Sequence, residues 1–157
     1  MSLTIGQKAP EFKLPDPDKK IHSLADFKGK NVVLFFFPGA WTGVCTKEMC
    51  TVQENFNTYS SMNAIPIGIS VDSIFALGKF KEDQKLHNII LLSDFNKEAI
   101  AAYEVYGNNF SMGFNGVARR STFVIDKEGI LRFAEVLPAY GDFPDMAAIQ
   151  QAVQALN

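Results

Sequence analysis

The chain has 157 residues, of which 47% are hydrophobic and 20% are charged, as expected for one globular domain spanning residues 1–157. Fifteen basic and seventeen acidic residues give a formal net charge of −2, without the basic stripe that nucleic-acid binding requires. The sequence has no signal-peptide-like segment and no run of about 18 apolar residues that would span a membrane. We therefore expect a cytoplasmic protein with neither nucleic acid nor membrane as a partner.

The first strong structural signals come after an extended N-terminal part. Residues 7–20 contain three prolines and seven charges, which favour edge segments and turns. Residues 32–37 (VVLFFF) are typical of a strand buried on both faces. From Thr42 onward the apolar residues recur at helical spacing. The predicted stripe contains Cys45, Met49, Val52, Phe56 and Tyr59.

The alternation of strands and helices continues to the end of the chain. Residues 64–71 predict a second strand, although Pro66 would remove one ladder donor. Asp72 and Ser73 are suitable caps for the next helix, and Ser93 or Asp94 for a helix over residues 96–106. The remaining predicted elements are a strand in residues 88–93, a hairpin over residues 121–136 and a helix over residues 145–156. This order predicts an α/β fold with a central mixed sheet flanked by helices.

Both cysteines lie in PGAWTGVCTKEMC, residues 38–50, directly after the first buried strand. Open α/β sheets bind ligands beyond the carboxyl ends of their strands, and this segment lies there. Cys45 would occupy the first helical turn, where free N–H groups and the helix dipole favour a thiolate. The position therefore predicts a reactive thiol, whereas the apolar stripe also allows Cys45 to be simple core filling.

Cys50 follows Cys45 by five residues, a rotation of roughly 140° and a rise of about 7.5 Å in an α-helix. The two Cα atoms would then lie about 8.6 Å apart, beyond the roughly 7 Å limit for a disulfide without backbone movement. A Cys45–Cys50 disulfide therefore requires the helix to unwind. Cys50 is either an idle, partly exposed thiol or the resolving partner in a redox cycle that reshapes the helix.

Metal and cofactor sites are not expected. His22 and His87 are isolated from each other, and the sequence has no C-x2-C or HxxxH spacing. The glycines form no phosphate-binding fingerprint.

The pattern Pro38-x-x-x-Thr42-x-x-Cys45, with Glu48 three positions later and Arg120 before the strand STFVID, closely resembles the peroxiredoxins. The resemblance extends from GQKAPEFKL through FKGKNVVLFFFPGA and GISVDS to RRSTFVIDKEGILRFAE. TGVC and residues 116–135 are similar to the AhpE-type one-cysteine branch. CTKEMC is similar to the bacterioferritin comigratory protein (PrxQ) branch, although TGVC stands where that branch has TPGC.

The resemblance implies a thioredoxin-like fold and a thiol-dependent peroxidase that reduces hydrogen peroxide and organic hydroperoxides. The Cys45 thiolate would attack the peroxide O–O bond and become a sulfenic acid. By position, Thr42 would hydrogen-bond the sulfur or a peroxide oxygen, and Pro38 would shield the pocket. Arg120 would stabilise the thiolate and polarise the peroxide.

Each of these residues also has a purely structural interpretation. Thr42 is equally explained as an ordinary helix N-cap residue. Arg120 could be an ordinary surface charge at the start of a strand, and Arg119 could be confused with it. Glu48 either orients the arginine, as the resemblance suggests, or is an exposed first-turn residue that complements the helix dipole. Trp41 either walls the pocket or only packs.

The resemblance also implies partners. The sulfenic acid would be recycled by Cys50 or by an external thiol, meaning a low-molecular-weight thiol or a thioredoxin, glutaredoxin or mycoredoxin-like protein. A homodimer packed through loops near the site is expected, with the aromatics of residues 107–114 as candidates for its interface. The alternative function is a peroxide-sensing redox switch or binding module on the same fold, without multiple turnover.

Overall fold

The computed structural model describes residues 3–157 and contains a five-stranded mixed sheet with helices on both faces. The strands are β1 (Lys13–Pro15), β2 (Ile21–Ser23), β3 (Asn31–Phe36), β4 (Ala64–Ser70), β5 (Ile90–Ser93), β6 (Tyr106–Gly107), β7 (Val117–Ala118), β8 (Ser121–Ile125) and β9 (Leu131–Val136). The helices are α1 (Gly43–Glu54), α2 (Phe56–Ser61), α3 (Ile74–Asp83), α4 (Glu98–Ala102) and α5 (Met146–Gln154), with a 3₁₀ turn at Leu24–Phe27.

The strand order of the main sheet is β5-β4-β3-β8-β9. Strands β3, β4 and β5 are parallel, whereas β8 and β9 are antiparallel to their neighbours. The predicted α/β fold with a central mixed sheet is confirmed. Because β3 lies in the middle, its carboxyl end meets both the end of β4 and the start of β8.

The continuous apolar run of β3 is explained by burial on both faces, since all six of its residues are buried. Val32, Leu34 and Phe36 face one core, which includes residues of α4 and the N-terminal segment. Val33 and Phe35 face the other core, which is covered by α1, α3 and α5. The helix carrying both cysteines is therefore seated on the central strand.

Pro66 lies within β4 despite its missing donor. It is opposite Val33 of β3, but the pairing of β4 with β5 begins one residue later, at Ile67. On the β5 side, β4 is an edge strand at Pro66, where proline is tolerated.

The structure corrects the predicted extents of two helices. In the predicted stripe, Phe56 is partly buried and the other four residues are buried, and Asn55 separates α1 from α2. The helix predicted over residues 96–106 is only Glu98–Ala102, because Lys97 and Glu104 on either side are left-handed, with φ of 63° and 58°. Asp94 contributes to its start as predicted, accepting hydrogen bonds from the backbone N–H groups of residues 99 and 100.

The C-terminal helix begins as predicted, since the Asp145 carboxylate accepts a hydrogen bond from the Ala148 N–H. None of the helices within residues 3–157 is both long enough and apolar enough to cross a membrane.

Candidate active site

A tight turn links the end of β3 to the start of α1. Pro38 in this turn is buried, and Thr42 is the N-cap residue of α1, with extended backbone angles of φ −79° and ψ 151°. The first helical hydrogen bond runs from the Thr46 N–H to the Thr42 carbonyl at 2.9 Å. The N–H groups of residues 43–45 therefore have no acceptor within the helix and point toward its N-terminal end.

Cys45 is the third residue of α1 and is fully buried. Its Sγ accepts a hydrogen bond at 3.2 Å from Nη2 of Arg120, which is 75 positions away in the sequence. The sheet brings the two residues together, because Ser121 at the start of β8 is opposite Phe36 at the end of β3. The predicted choice of Arg120 over Arg119 matches this placement, and the surface interpretation of Arg120 is wrong.

The Arg120 guanidinium is held on three sides, and its side chain is 1% exposed. Nη1 donates to Glu48 Oε1 at 2.6 Å, while Nε and Nη2 donate to the Tyr140 carbonyl at 3.3 and 3.0 Å. Arg119, in contrast, donates to the Leu137 carbonyl at 3.3 Å. A planar guanidinium that donates to several acceptors at once is fixed in orientation, so Nη2 of Arg120 is directed at the sulfur.

Glu48 is 0% exposed, so its interpretation as an exposed first-turn residue is wrong. Its Oε1 binds Arg120, whereas its Oε2 has no hydrogen-bond partner among the described residues. Burial raises the pKa of Glu48 from its ordinary value of 4.5 to about 7, against the opposing effect of Arg120 and with a further small increase from Glu135. Glu48 thus contacts the arginine that contacts the sulfur, as the resemblance suggested.

Trp41 and Thr42 directly precede α1, and Trp41 is exposed whereas Thr42 is partly buried. The Thr42 hydroxyl donates to the Gly39 carbonyl at 3.0 Å and makes no side-chain capping bond. Trp41 has a left-handed φ of 74° and packs edge-on against Phe80 with 5.5 Å between ring centroids. About half of Trp41 is exposed, so the indole packs on Phe80 and also faces solvent.

Cys50 lies on the same continuous helix, partly buried rather than on the core stripe. Its thiol donates a long hydrogen bond of 3.8 Å to Gln84 Oε1. Burial, and secondarily the charge of Glu54, raises the pKa of Cys50 above its ordinary value. Both cysteines are free thiols, and the intact helix keeps them apart.

Asp72 is a residue whose role at the site the sequence did not indicate. Its Oδ2 accepts hydrogen bonds from the Ala40 N–H at 2.8 Å and from the Ser70 hydroxyl at 2.7 Å. It therefore ties the end of β4 to the turn before α1, while the helix-capping role falls to Ser73. The available signal was its position at the carboxyl end of the neighbouring parallel strand.

A buried cysteine at a helix N-terminus, contacted by a fixed guanidinium, is an arrangement suited to a nucleophilic thiolate. Free N–H groups and Arg120 are donors for negative charge that develops on a substrate oxygen. The fold and the site together define a thioredoxin-like enzyme with cysteine-based redox chemistry.

Comparison with known proteins identifies the family. Residues 5–134 match the model of the AhpC/TSA family. Peroxiredoxin Bcp of Bacillus subtilis is 40% identical over 133 residues, covering 83% of both chains. Peroxiredoxin Bcp of Escherichia coli K12 is 36% identical over 129 residues, covering 81% of both chains. The crystal structure of peroxidoxin BcpB from Mycobacterium tuberculosis superimposes with a TM-score of 0.84 at 27% identity, covering 99% of both chains.

The chain belongs to the AhpC/TSA family and, within the peroxiredoxins, to the bacterioferritin comigratory protein branch. It is a thiol-dependent peroxidase, an oxidoreductase. Of the two branches that the sequence left open, the one indicated by CTKEMC is supported.

Proposed function

We propose that Cys45 is the peroxidatic residue and that its thiolate reduces hydrogen peroxide and small organic hydroperoxides. The observation that carries this assignment is the 3.2 Å contact between the Cys45 sulfur and the buried guanidinium of Arg120. Cys45 also lies in the first turn of its helix, whereas Cys50 lies in the middle of it and its thiol donates to the neutral Gln84 side chain. Of the two thiols, only Cys45 is therefore placed for peroxide chemistry.

The neighbouring side chains have separate roles in this proposal. Arg120 stabilises the thiolate and donates to the peroxide oxygen as the O–O bond breaks. Glu48 and the Tyr140 carbonyl keep the guanidinium in place. Thr42, at the helix entrance, presents its hydroxyl oxygen to the incoming peroxide, and the buried Pro38 limits access of water to the sulfur.

The attack produces a sulfenic acid at Cys45 and water or an alcohol. Two routes back to the thiol are proposed: direct reduction by an external thiol, or condensation with Cys50 followed by reduction of the disulfide. The external reductant is a thioredoxin, glutaredoxin or mycoredoxin-like protein or a low-molecular-weight thiol. The Cys50 route requires the first turns of α1 to unwind, because both cysteines lie in one regular helix.

We further propose a cytoplasmic homodimer. Several large apolar side chains are exposed in the loops near the site, among them Trp41 at 49%, Met112 at 84% and Phe114 at 55%. Exposed apolar groups of this kind favour a protein–protein contact. Sedimentation of the reduced and oxidised protein, with Met112→Glu as the interface variant, tests the assembly: the variant is expected to sediment as a monomer.

Multiple-turnover kinetics with cysteine variants test the enzymatic assignment. Cys45→Ser is expected to abolish peroxide consumption in the presence of dithiothreitol, while Cys50→Ser retains the first turnover. Continued consumption by Cys45→Ser would overturn the assignment of Cys45. A wild-type protein that stops after one equivalent despite excess reductant would instead indicate the peroxide-sensing alternative.

A further inference from the structure

We infer that Glu48 carries a proton while Cys45 is a thiolate, and that it gives up this proton when peroxide oxidises the sulfur. The inference rests on the proposed peroxidatic role of Cys45. It makes Glu48 a proton store for the reaction in addition to a group that orients Arg120.

A buried cluster of three ionisable side chains surrounds the Cys45 sulfur. Cys45, Glu48 and Arg120 are linked by contacts of 3.2 and 2.6 Å, and each is at most 2% exposed. If the thiolate and the carboxylate were both ionised, two negative charges would share one guanidinium. An uncompensated charge in a buried site is strongly unfavourable because it loses its hydration. Protonation of Glu48 leaves the cluster neutral.

Within residues 3–157, the charged groups around Glu48 include only one cation in contact with it. Arg120 precedes β8 and is the cation in contact with it. Glu135 on β9 adds negative charge, which further disfavours the ionised carboxylate. Lys47, on the same helix, is exposed, and its ammonium lies 4.9 Å from the Phe143 ring centroid. Glu48 therefore has one cationic partner, and the thiolate shares it.

One oxygen of Glu48 is unpartnered among the described residues. Glu48 Oε2 is buried without a hydrogen-bond donor in the described part of the chain. A carboxylate oxygen left in this state loses its hydration without replacement, and the loss is smaller for a neutral carboxyl group. The raised pKa of about 7, caused mainly by burial, agrees with a carboxyl group that holds its proton near neutrality.

The chemical step balances without a proton from solvent. Thiolate, hydrogen peroxide and the protonated Glu48 give sulfenic acid, water and the Glu48 carboxylate. The S–O bond forms as the O–O bond breaks, and the sulfur loses two electrons. The hydroxide ion that leaves takes up one proton to become water. Glu48 loses one proton, so the number of protons is balanced. The cluster is neutral before and after the step, because Arg120 pairs first with the thiolate and then with Glu48.

Proton counting during one turnover tests the inference. Reduced protein is mixed with one equivalent of hydrogen peroxide in weakly buffered solution containing a pH indicator, and the thiolate fraction is measured by its ultraviolet absorbance in the same sample. Wild type is expected to take up almost no protons. Glu48→Gln, which cannot store one, is expected to take up about one proton per oxidised thiolate. Equal uptake in the two proteins would overturn the inference.

An infrared difference spectrum of the wild type provides a second test that does not depend on the folding of the variant. Oxidation is expected to remove the C=O band of a protonated carboxyl group, and persistence of this band or its absence from the reduced protein contradicts the inference. Mass spectrometry of the same samples tests the peroxidatic role of Cys45 separately from the role of Glu48. Absence of oxidation at Cys45 refutes the proposed function, whereas normal oxidation with full proton uptake refutes only the role of Glu48.

Discussion

A single guanidinium defines the chemistry of the site at the scale of residues. Arg120 donates to the Cys45 sulfur, to Glu48 and to the Tyr140 carbonyl, so its direction is set by two acceptors on α1 and by one in the loop after β9. A lysine retains the positive charge but has neither the fork nor its fixed plane. Charge and geometry can therefore be separated by substitution.

Arg120→Lys is expected to lower the second-order rate constant of Cys45 oxidation by about 100-fold or more, the usual cost of removing one preorganised donor. Stopped-flow fluorescence of Trp41, the only tryptophan, measures this rate. Arg119→Lys is the matched control, because Arg119 donates to the Leu137 carbonyl and not to the sulfur. A control that loses as much activity as Arg120→Lys would argue against a specific role of Arg120.

The resemblance to the peroxiredoxins implied the contact between Arg120 and Cys45 and suggested Glu48 as the group that orients Arg120. The complete burial of Glu48 and the role of Asp72 were not predicted. The depth of Glu48 depends on how α1 rotates against the sheet, and the helical stripe placed it only near the core edge. The contact of Asp72 with the Ala40 N–H depends on the spacing of two strand ends, which local patterns do not contain.

At the scale of elements, the position of α1 depends on its close approach to β4 at Gly68. A Cβ atom at this glycine would lie 2.9 Å from Met49 Sδ and 2.8 Å from Leu91 Cδ2. Such contacts are closer than van der Waals packing allows, so a side chain here must push the buried side chains of Met49 and Leu91 out of their present positions. The close packing of α1 against β4 therefore depends on the absence of a side chain at Gly68.

Gly68→Ala is expected to lower the free energy of unfolding by about 1–3 kcal/mol, the usual cost of overpacking. Gly43→Ala at the start of α1 is the control, because a Cβ there meets no atom within 4 Å. This control is expected to leave stability unchanged or to raise it by up to about 1 kcal/mol. Urea titrations measure both, and equal stability of the two variants would contradict the packing argument.

The turn between β3 and α1 is tested through Asp72. Asp72→Ala leaves the Ala40 N–H without its acceptor, at an expected cost of about 1–3 kcal/mol in stability, and we expect roughly tenfold slower Cys45 oxidation from a misplaced thiol. Asp72→Asn retains an acceptor oxygen and is expected to recover much of both losses. Urea unfolding and Trp41 fluorescence kinetics provide the measurements. If Asp72→Asn and Asp72→Ala lost the same stability and the same rate of Cys45 oxidation, the hydrogen bond that Asp72 accepts from the Ala40 N–H would not be the cause of the losses.

The elements themselves were largely predictable, and the exceptions have local causes. The apolar run of β3 and the stripe of α1 correspond to buried faces. Both ends of α4 were missed because Lys97 before it and Glu104 after it adopt left-handed conformations, which carry no clear signal for residues of this type. Pro66 was less disruptive than its missing N–H suggested, because β5 begins to pair only at the next residue.

At the scale of the whole molecule, two cores share the central strand. Val32, Leu34 and Phe36 contribute to one core, and Val33 and Phe35 to the other. Loss of either core exposes β3, so we predict that residues 1–157 behave as one domain with a single cooperative unfolding transition. Coincident changes of circular dichroism and Trp41 fluorescence in urea check this expectation, and two separate transitions would contradict it.

The pH dependence of stability is expected to carry the signature of Glu48. Burial raises the pKa of Glu48 from 4.5 to about 7 in the folded protein, so the folded state binds this proton more tightly than the unfolded state. The associated stabilisation is complete below about pH 4.5 and is lost as pH rises through about 7. The free energy of unfolding of Glu48→Gln minus that of wild type is therefore expected to increase from pH 5 to pH 8. Urea unfolding of the reduced proteins measures this, and a constant difference between them would contradict it.

The central claim is that the Cys45 sulfur, in contact with Arg120, is the atom that reacts with peroxide. Intact mass spectrometry of Cys50→Ser after one equivalent of hydrogen peroxide, with dimedone trapping and peptide mapping, tests it most directly. We predict a gain of one oxygen, trapped by dimedone at Cys45, and no trapping when Arg120→Lys is added on the same time scale. An unmodified Cys45 in a protein that has consumed the peroxide would contradict the claim.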